Sequence, residues 1–459
     1  MELREALSSL LDAAGLPSQA AKQVTFGGSE PVFPTTFRLA TAGAAAIAAT
    51  GVVANELWHE RTGRRQQVSV ELRHAAAALR SDRYLKIDGK PPPSPWADVS
   101  GFYRARDGRW IQLHCNFPNH REGVLSLLHC TDERESVARA VAYWDAFELE
   151  ERLANAGAPC AVVRTPAEWQ AHPQSQAVAT LPTFEVVKVA DGPPQPLPAG
   201  DRPLSGVRVL ELTRVLAGPV GGAALASHGA DVIRVTAAHL PGYPQGLDID
   251  TGHGKLSTQL DLRSADDYAK LLGLIEAADV FSQAYRPGTL EARGLSPEEL
   301  ISRRPGLIYV TLSAYGHVVP WGERRGFDSL VQPASGMVWE ESGDGPPHHL
   351  PAQALDYVSG YFVALGAMTG LLRRAREGGS YLVRLSLAQT GRWIDNLGRV
   401  PLAPGQPDLA EADLQDLMIE TDAPAGRLRF LSPALQMSET PPRWVRPSVP
   451  LDHDPPRWP

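Results

Sequence analysis

Residues 203–235 read PLSGVRVLELTRVLAGPVGGAALASHGADVIRV, and the fold turns on this stretch. Val207–Leu212 is a mostly apolar run of strand length, Ala217-Gly218-Pro219 is a turn, 220–228 is a helix of small residues, and Asp231–Val235 is a second strand. Strands that stay apolar on both faces belong to the interior of a parallel sheet. The same alternation continues toward the C-terminus. Leu260-Asp261-Leu262 opens a unit with a helix at 264–277, and strands follow at Val280–Ser282 and Leu307–Leu312 with a helix at Pro297–Ser302 between them. A helix at 356–375 then leads into a strand at Tyr381–Leu387. The pattern predicts an α/β fold with an open, mostly parallel, Rossmann-like sheet.

The strand–turn–helix is not a GxGxxG, and Val235 is followed by Thr236 where a dinucleotide site wants a carboxylate for the ribose. Nicotinamide redox chemistry is therefore disfavoured. The small residues let backbone approach a ligand, and a helix start offers N–H groups to phosphate. Tight helix–sheet packing is the other use such glycines have.

Toward the N-terminus, 101–180 reads as a small α+β unit. It has strands at Trp110–His114 and Cys160–Val163 and helices near 120–129, 133–140 and 143–156. Residues 181–203 read as a Pro/Gly-rich connection. Before the small unit come an amphipathic helix over 1–15, an Ala-rich helix over 38–60, a strand at Gln67–Leu72 and a helix at Arg73–Leu85. After residue 400 the chain is Pro-rich, with one acidic helix near 408–418. Four units are expected: 1–90, helical with a first helix–strand repeat; 91–200, the small α+β domain and linker; 201–400, the large sheet domain; and 401–459, an irregular tail.

An internal repeat links two of these units. Residues 41–72 align on 356–387 without gaps, at an offset of 315: Gly51 on Gly366, Leu57 on Leu372, Gly63 on Gly378, Val68 on Val383 and Leu72 on Leu387. Helix, Gly-containing turn and alternating strand match together, which favours a partial duplication.

Composition narrows the classes. A net charge of −8 argues against a nucleic-acid binder or a polybasic membrane patch. Three cysteines make no disulfide framework. The start, Met1 to Glu5, has no basic region before an apolar one, and the apolar stretch Thr41–Ala54 is shorter than a bilayer span. The expectation is a cytoplasmic protein without a membrane segment.

Few residues carry chemistry on their own. Asp356 stands at a helix start, where an Asp serves as an N-cap or as a carboxylate that backbone N–H groups hold ionised and nucleophilic. His114, Cys115, His120, His129 and Cys130 cluster without metal-ligand spacing, so no metal site is assigned. His348-His349 reads as a solvated turn. No GxSxG and no P-loop is present.

The order of these motifs resembles the family III CoA-transferases, the group of formyl-CoA transferase, carnitine CoA-transferase and α-methylacyl-CoA racemase. The resemblance runs from Pro203–Gly222 through Gly254-Lys255, Arg286-Pro287-Gly288 and Gly326-Phe327-Asp328 to Asp356 with Ser359-Gly360. In the N-terminal half, Thr62-Gly63-Arg64 to Val70, Asp107–Ile111 and Gly157–Val163 resemble later parts of the same family. Two truncated copies are joined. The first lacks the opening sheet half and the second lacks the small domain.

The resemblance implies CoA transfer between an acyl-CoA and a small carboxylic acid, with Asp356 as nucleophile and no permanently bound cofactor. It further implies that Val215, Leu216, Ala217 and Gly218 line the CoA path, with Arg214, Arg263, Arg286 and Arg293 as phosphate partners. Family members are interlocked dimers, so a homodimer stays open. Thr41 occupies the Asp356 position of the first copy. The sequence departs from the family where Thr236-Ala237 replaces an acidic–basic pair, Ala284 replaces Asn, Leu216 replaces the Gln of formyl-CoA transferase and Phe327 replaces the racemase His. The alternatives are a non-catalytic acyl-CoA-binding or partner subunit and, behind it, a racemase or isomerase.

Overall fold

The computed structural model describes residues 1–240, 242 and 244–459. Seven strands form the large sheet: β1 (Glu185–Ala190), β2 (Arg208–Leu212), β3 (Asp231–Thr236), β4 (Lys255–Gln259), β5 (Val280–Gln283), β6 (Ile308–Ser313) and β7 (Ser380–Ser386). They lie in the order β4-β3-β2-β5-β6-β7-β1. All neighbours are parallel except β7 and β1. The order reverses between β2 and β5, which is the switch point of a doubly wound sheet. β2 and β5 are the inner strands there, and their apolar side chains are buried.

The helices that position the site are α1 (Leu39–Thr62), α2 (Ala217–Ser227), α3 (Asp328–Ala334) and α4 (Ala354–Glu377). α1 and α4 are long and apolar enough to cross a membrane, so the Thr41–Ala54 stretch is part of a longer helix than the apolar run suggests. Both are buried along almost their whole length, and they pack on each other. A helix apolar all round belongs to a core, and these two form its centre.

The repeat holds in three dimensions. α1 and α4 start and end at the same offset of 315, and so do the strand end at Glu71 and Ser386 and the helix starts at Leu72 and Leu387. The first copy builds a three-stranded sheet in which Val68 lies between Val24 on a parallel neighbour and Met437 on an antiparallel one. In the second copy Val383 lies between Val310, parallel, and Val186, antiparallel. The return strands are exchanged. β1, which follows the first copy, completes the sheet of the second, and Leu435–Met437, which follows the second copy, completes the sheet of the first. The interlock is thus internal to one chain.

Two sequence expectations are corrected here. The 181–203 connection contains edge strand β1. The 401–459 tail carries a hairpin, Met418–Ala423 with Gly426–Leu431, whose second strand pairs with Lys86–Ile87, and then Leu435–Met437. The acidic helix expected near 408–418 is present as a 3-10 helix, Glu411–Leu417. The small α+β unit has a three-stranded antiparallel sheet, Gly101–Arg104, Trp110–Leu113 and Cys160–Val162, under helices at Pro118–Leu128, Arg134–Val141 and Ala146–Asn155 with a core of their own.

Candidate active site

A cavity of about 450 Å³ opens along the C-terminal ends of β2 to β6. Ligands of doubly wound sheets bind in this crevice beside the switch point. Arg214, Val215, Leu216, Ala217, Gly218, Arg263, Arg293 and Asp356 all line it. Phe117, Asn119 and His120 of the small unit close the opposite wall.

The turn at 213–219 is braced from below. Lys255 Nζ donates to Glu211 Oε2 at 2.8 Å and to the Pro219 carbonyl at 2.7 Å, and the Thr213 hydroxyl donates to Glu211 Oε1 at 2.9 Å. Both partners of this ion pair are fully buried. Val215 lies at φ 70°, a left-handed conformation that costs a β-branched residue free energy and that clusters at functional sites. Gly221 and Gly222 serve packing. A Cβ on Gly221 would meet Val363 and the Gly360 carbonyl at 2.9 Å, and one on Gly222 would collide with Glu211. Gly360 answers from α4, where a Cβ would fall 2.7 Å from the Ala217 carbonyl. These contacts bring the start of α2 against the first turns of α4, where Asp356 sits.

Asp356 is 9 % exposed and lies in the first turn of α4, after the N-cap Gln353. The sequence reading gave its carboxylate the helix-start amides. The structure gives them to another residue: Asp328 Oδ2 accepts the N–H groups of Leu355 at 2.8 Å and of Asp356 at 3.1 Å. Asp328 Oδ1 also accepts from Gln332 Nε2. Burial raises the Asp328 carboxyl, and these donors pull it back. The Asp356 side chain has no hydrogen bond among the described residues. Burial, then the facing Asp328, hold it well above the usual carboxylate range. The arrangement is a carboxyl pair, in which a charge on one member opposes charge on the other.

Aromatic rings finish the wall. Phe327 stacks on His114 with centroids 3.9 Å apart, and Phe117 and His120 lie 6.2 and 5.8 Å from Phe327. Burial pushes His114 down to about 3, so the ring is neutral. The His/Cys cluster divides. His114 and His120 lie with ring centroids 6.3 Å apart and His120 faces the cavity, Cys115 and Cys130 belong to the small-unit core, and no group of three or more side chains that could hold a metal occurs among the described residues. Of the pair read as a solvated turn, His348 is exposed and His349 half-buried, with its Nε2 3.0 Å from the Ser329 carbonyl.

The cations differ in setting. Arg263 pairs with Asp261 at 2.6 Å, while the Arg214 guanidinium sits 5.3 Å from the Phe117 ring centroid. Thr236, Ala237, Ala284, Leu216 and Phe327, the positions that depart from the family pattern, all face the cavity. Sequence reasoning missed Asp328 as the acceptor of the α4 amides, and His120 and Arg325 as cavity residues. Only Asp328 had a signal, as the end of Gly326-Phe327-Asp328.

Comparison with known proteins matches the description CoA-transferase family III to residues 12–195 and again to 204–397, one match on each copy. An acyl-CoA transferase of Gibberella moniliformis is 30% identical over 413 residues, which is 79% of this chain and 72% of that protein. A succinate–glutarate CoA-transferase of Agrobacterium fabrum is 32% identical over 209 residues, 42% of this chain and 52% of its own. A crystal structure of a Mycobacterium tuberculosis protein of 35% identity has a TM-score of 0.40 and covers 43% of this chain and 58% of that one. The chain thus spans about half the length of these bacterial relatives and more of the fungal one.

Proposed function

We propose that this chain, which belongs to CoA-transferase family III and is an enzyme of that family, moves CoA from an acyl-CoA thioester to a small carboxylic acid through Asp356. The observation that carries this reading is the carboxyl of Asp356 at the wall of a switch-point cavity, beside a second carboxyl that already holds the helix amides.

Ionised Asp356 attacks the thioester carbonyl. The C–S bond breaks, CoA leaves as thiolate, and a mixed anhydride remains. The thiolate then attacks the Asp356 carbonyl of the anhydride and expels the first carboxylate, leaving an aspartyl-CoA thioester. The acceptor carboxylate attacks that thioester, the C–S bond breaks, and CoA thiolate leaves behind a second mixed anhydride; the thiolate then attacks the acceptor's acyl carbon, breaks its bond to the Asp356 oxygen and frees Asp356 as a carboxylate. Each difficult exchange is split into easier steps. The start of α2 places partial positive charge where oxyanions develop. Asp328 raises the basicity of Asp356, and a more basic carboxylate is the better nucleophile once ionised. Arg263 and Arg293 are the phosphate partners in this proposal, no permanent cofactor is needed, and a cytoplasmic location belongs to the same reading.

A non-catalytic acyl-CoA binder is the competing reading, carried by Thr236, Ala284 and Leu216 at positions that face the cavity. Hydroxylamine added during exchange separates the two. An aspartyl thioester yields a protein hydroxamate that Asp356→Ala lacks, whereas a binder yields none.

A further inference from the structure

The backbone of α4 decides where the Asp356 carboxyl points, because that side chain has no hydrogen bond among the described residues. On a helix the next residue stands about 100° further round. Tyr357 accordingly turns away from the catalytic cavity and lines a second one, of about 70 Å³, between α1, α2 and α4.

The Tyr357 side chain is buried, yet this second cavity leaves part of its ring without packing. Its hydroxyl holds it instead. The hydroxyl donates to Asp82 Oδ1 at 2.7 Å and accepts the Asp82 N–H at 3.3 Å. Ser81 extends the network: its own hydroxyl lies 3.3 Å from the Tyr357 oxygen and donates to Asp250 Oδ2 at 2.6 Å. A serine hydroxyl has one proton, and the shorter bond takes it. Ser81 and Asp82 open the 3-10 turn Ser81–Tyr84 of the first copy, and Asp250 lies in the helix Gln245–Gly252 of the second. The first copy thus grips the turn of α4 that carries Asp356. The reverse grip is missing. At the repeat offset Tyr357 corresponds to Ala42 and Asp82 to Leu397, and neither side chain can make the bond.

We infer that Tyr357 is a positioning residue for CoA transfer: held by Asp82, it fixes the rotation of the first turn of α4 and with it the aim of the Asp356 carboxyl into the cavity. This role rests on the CoA-transfer reading of that cavity. Asp328 anchors the same turn by its amides. The Tyr357 bond supplies the second point of attachment that a fixed rotation needs. Misplacing a reacting group by about 1 Å costs up to about 100-fold in rate.

Acetyl-, butyryl- and succinyl-CoA are each incubated with their own labelled acid, and the pair that exchanges fastest serves as the probe. Turnover is referred to folded protein, well below the melting temperature of every variant. Tyr357→Phe removes one oxygen and keeps the ring. It should lower kcat by about 10- to 100-fold and leave KM for the acyl-CoA within about threefold. Asp82→Leu puts at 82 the residue type found at 397. It should lose as much, and the double variant should lose no more than either single change. Asp82→Asn keeps an oxygen acceptor and should recover most of the loss. A lower melting temperature with unchanged kcat per folded protein would make the hydroxyl structural only and overturn the inference. So would losses that multiply in the double variant. If no pair exchanges with the unsubstituted protein, the CoA-transfer reading fails and this role falls with it.

Discussion

The two copies both start their central helices with an acid on a backbone amide, and they differ in what stands at the third helical position, Thr41 in one and Asp356 in the other. In the first, Glu30 accepts the Thr41 N–H at 2.7 Å. In the second, Asp328 accepts the Asp356 N–H at 3.1 Å. An acid on the helix amides is therefore common to both and serves the scaffold, consistent with the attraction of a helix start for negative charge. The second copy adds another carboxyl, Asp356, which finds no donor of its own and faces a cavity. What distinguishes the candidate active copy is a carboxyl pair that is unfavourable for folding and suited to nucleophilic attack.

Exchanging the two residues gives the largest expected effect. Asp356→Thr with Thr41→Asp should lose CoA exchange by about a thousandfold or more, because the first copy lacks the β2 to α2 turn that lines the cavity. Recovery of turnover in the exchanged protein would break the comparison.

Packing gives the next effect. Gly360 corresponds to Ala45 at the repeat offset. Gly360→Ala should destabilise by about 1–3 kcal/mol, because its Cβ meets the Ala217 carbonyl and Val220. Ala45→Gly should cost about 1 kcal/mol through helix propensity alone. Chemical denaturation compares the two, and equal costs would show that the close contact of α2 with α4 is not special.

The acid limb of the pH–rate profile sharpens the distinction between the two acids. Asp328→Asn removes a like charge from Asp356, so the limb should move to lower pH by about one unit or more, while Glu30→Gln leaves it in place. Stability has a defined sign as well. A carboxyl raised in the folded state binds its proton more tightly there than in the unfolded chain, so stability falls as pH rises above about 4 through the folded value. Asp356→Asn should therefore raise the melting temperature by a few degrees at pH 8 and by little at pH 4.

Much of this was legible in the sequence. The apolar runs at Val207–Leu212 and Leu307–Leu312 announced a parallel sheet, and the matched pair Gly63 and Gly378 announced the repeat. Asp356 and the 214–218 turn were found from residue order and lie on one cavity. The exchanged return strands were not legible, because β1 and Leu435–Met437 are short and their pairing joins distant segments. Asp328 was missed as amide acceptor for a related reason. Caps are read within a few residues, and this one acts across 28. His120 and Arg325 meet only when the small unit docks on the sheet, which no local pattern encodes.

The most direct measurement is mass spectrometry of the peptide that contains Asp356 after incubation with an acyl-CoA and rapid quenching. A covalent CoA thioester on Asp356, absent from the Asp356→Ala protein and consumed on adding a carboxylic acid, is the predicted result. Turnover with no adduct, or with the adduct on another residue, would contradict it.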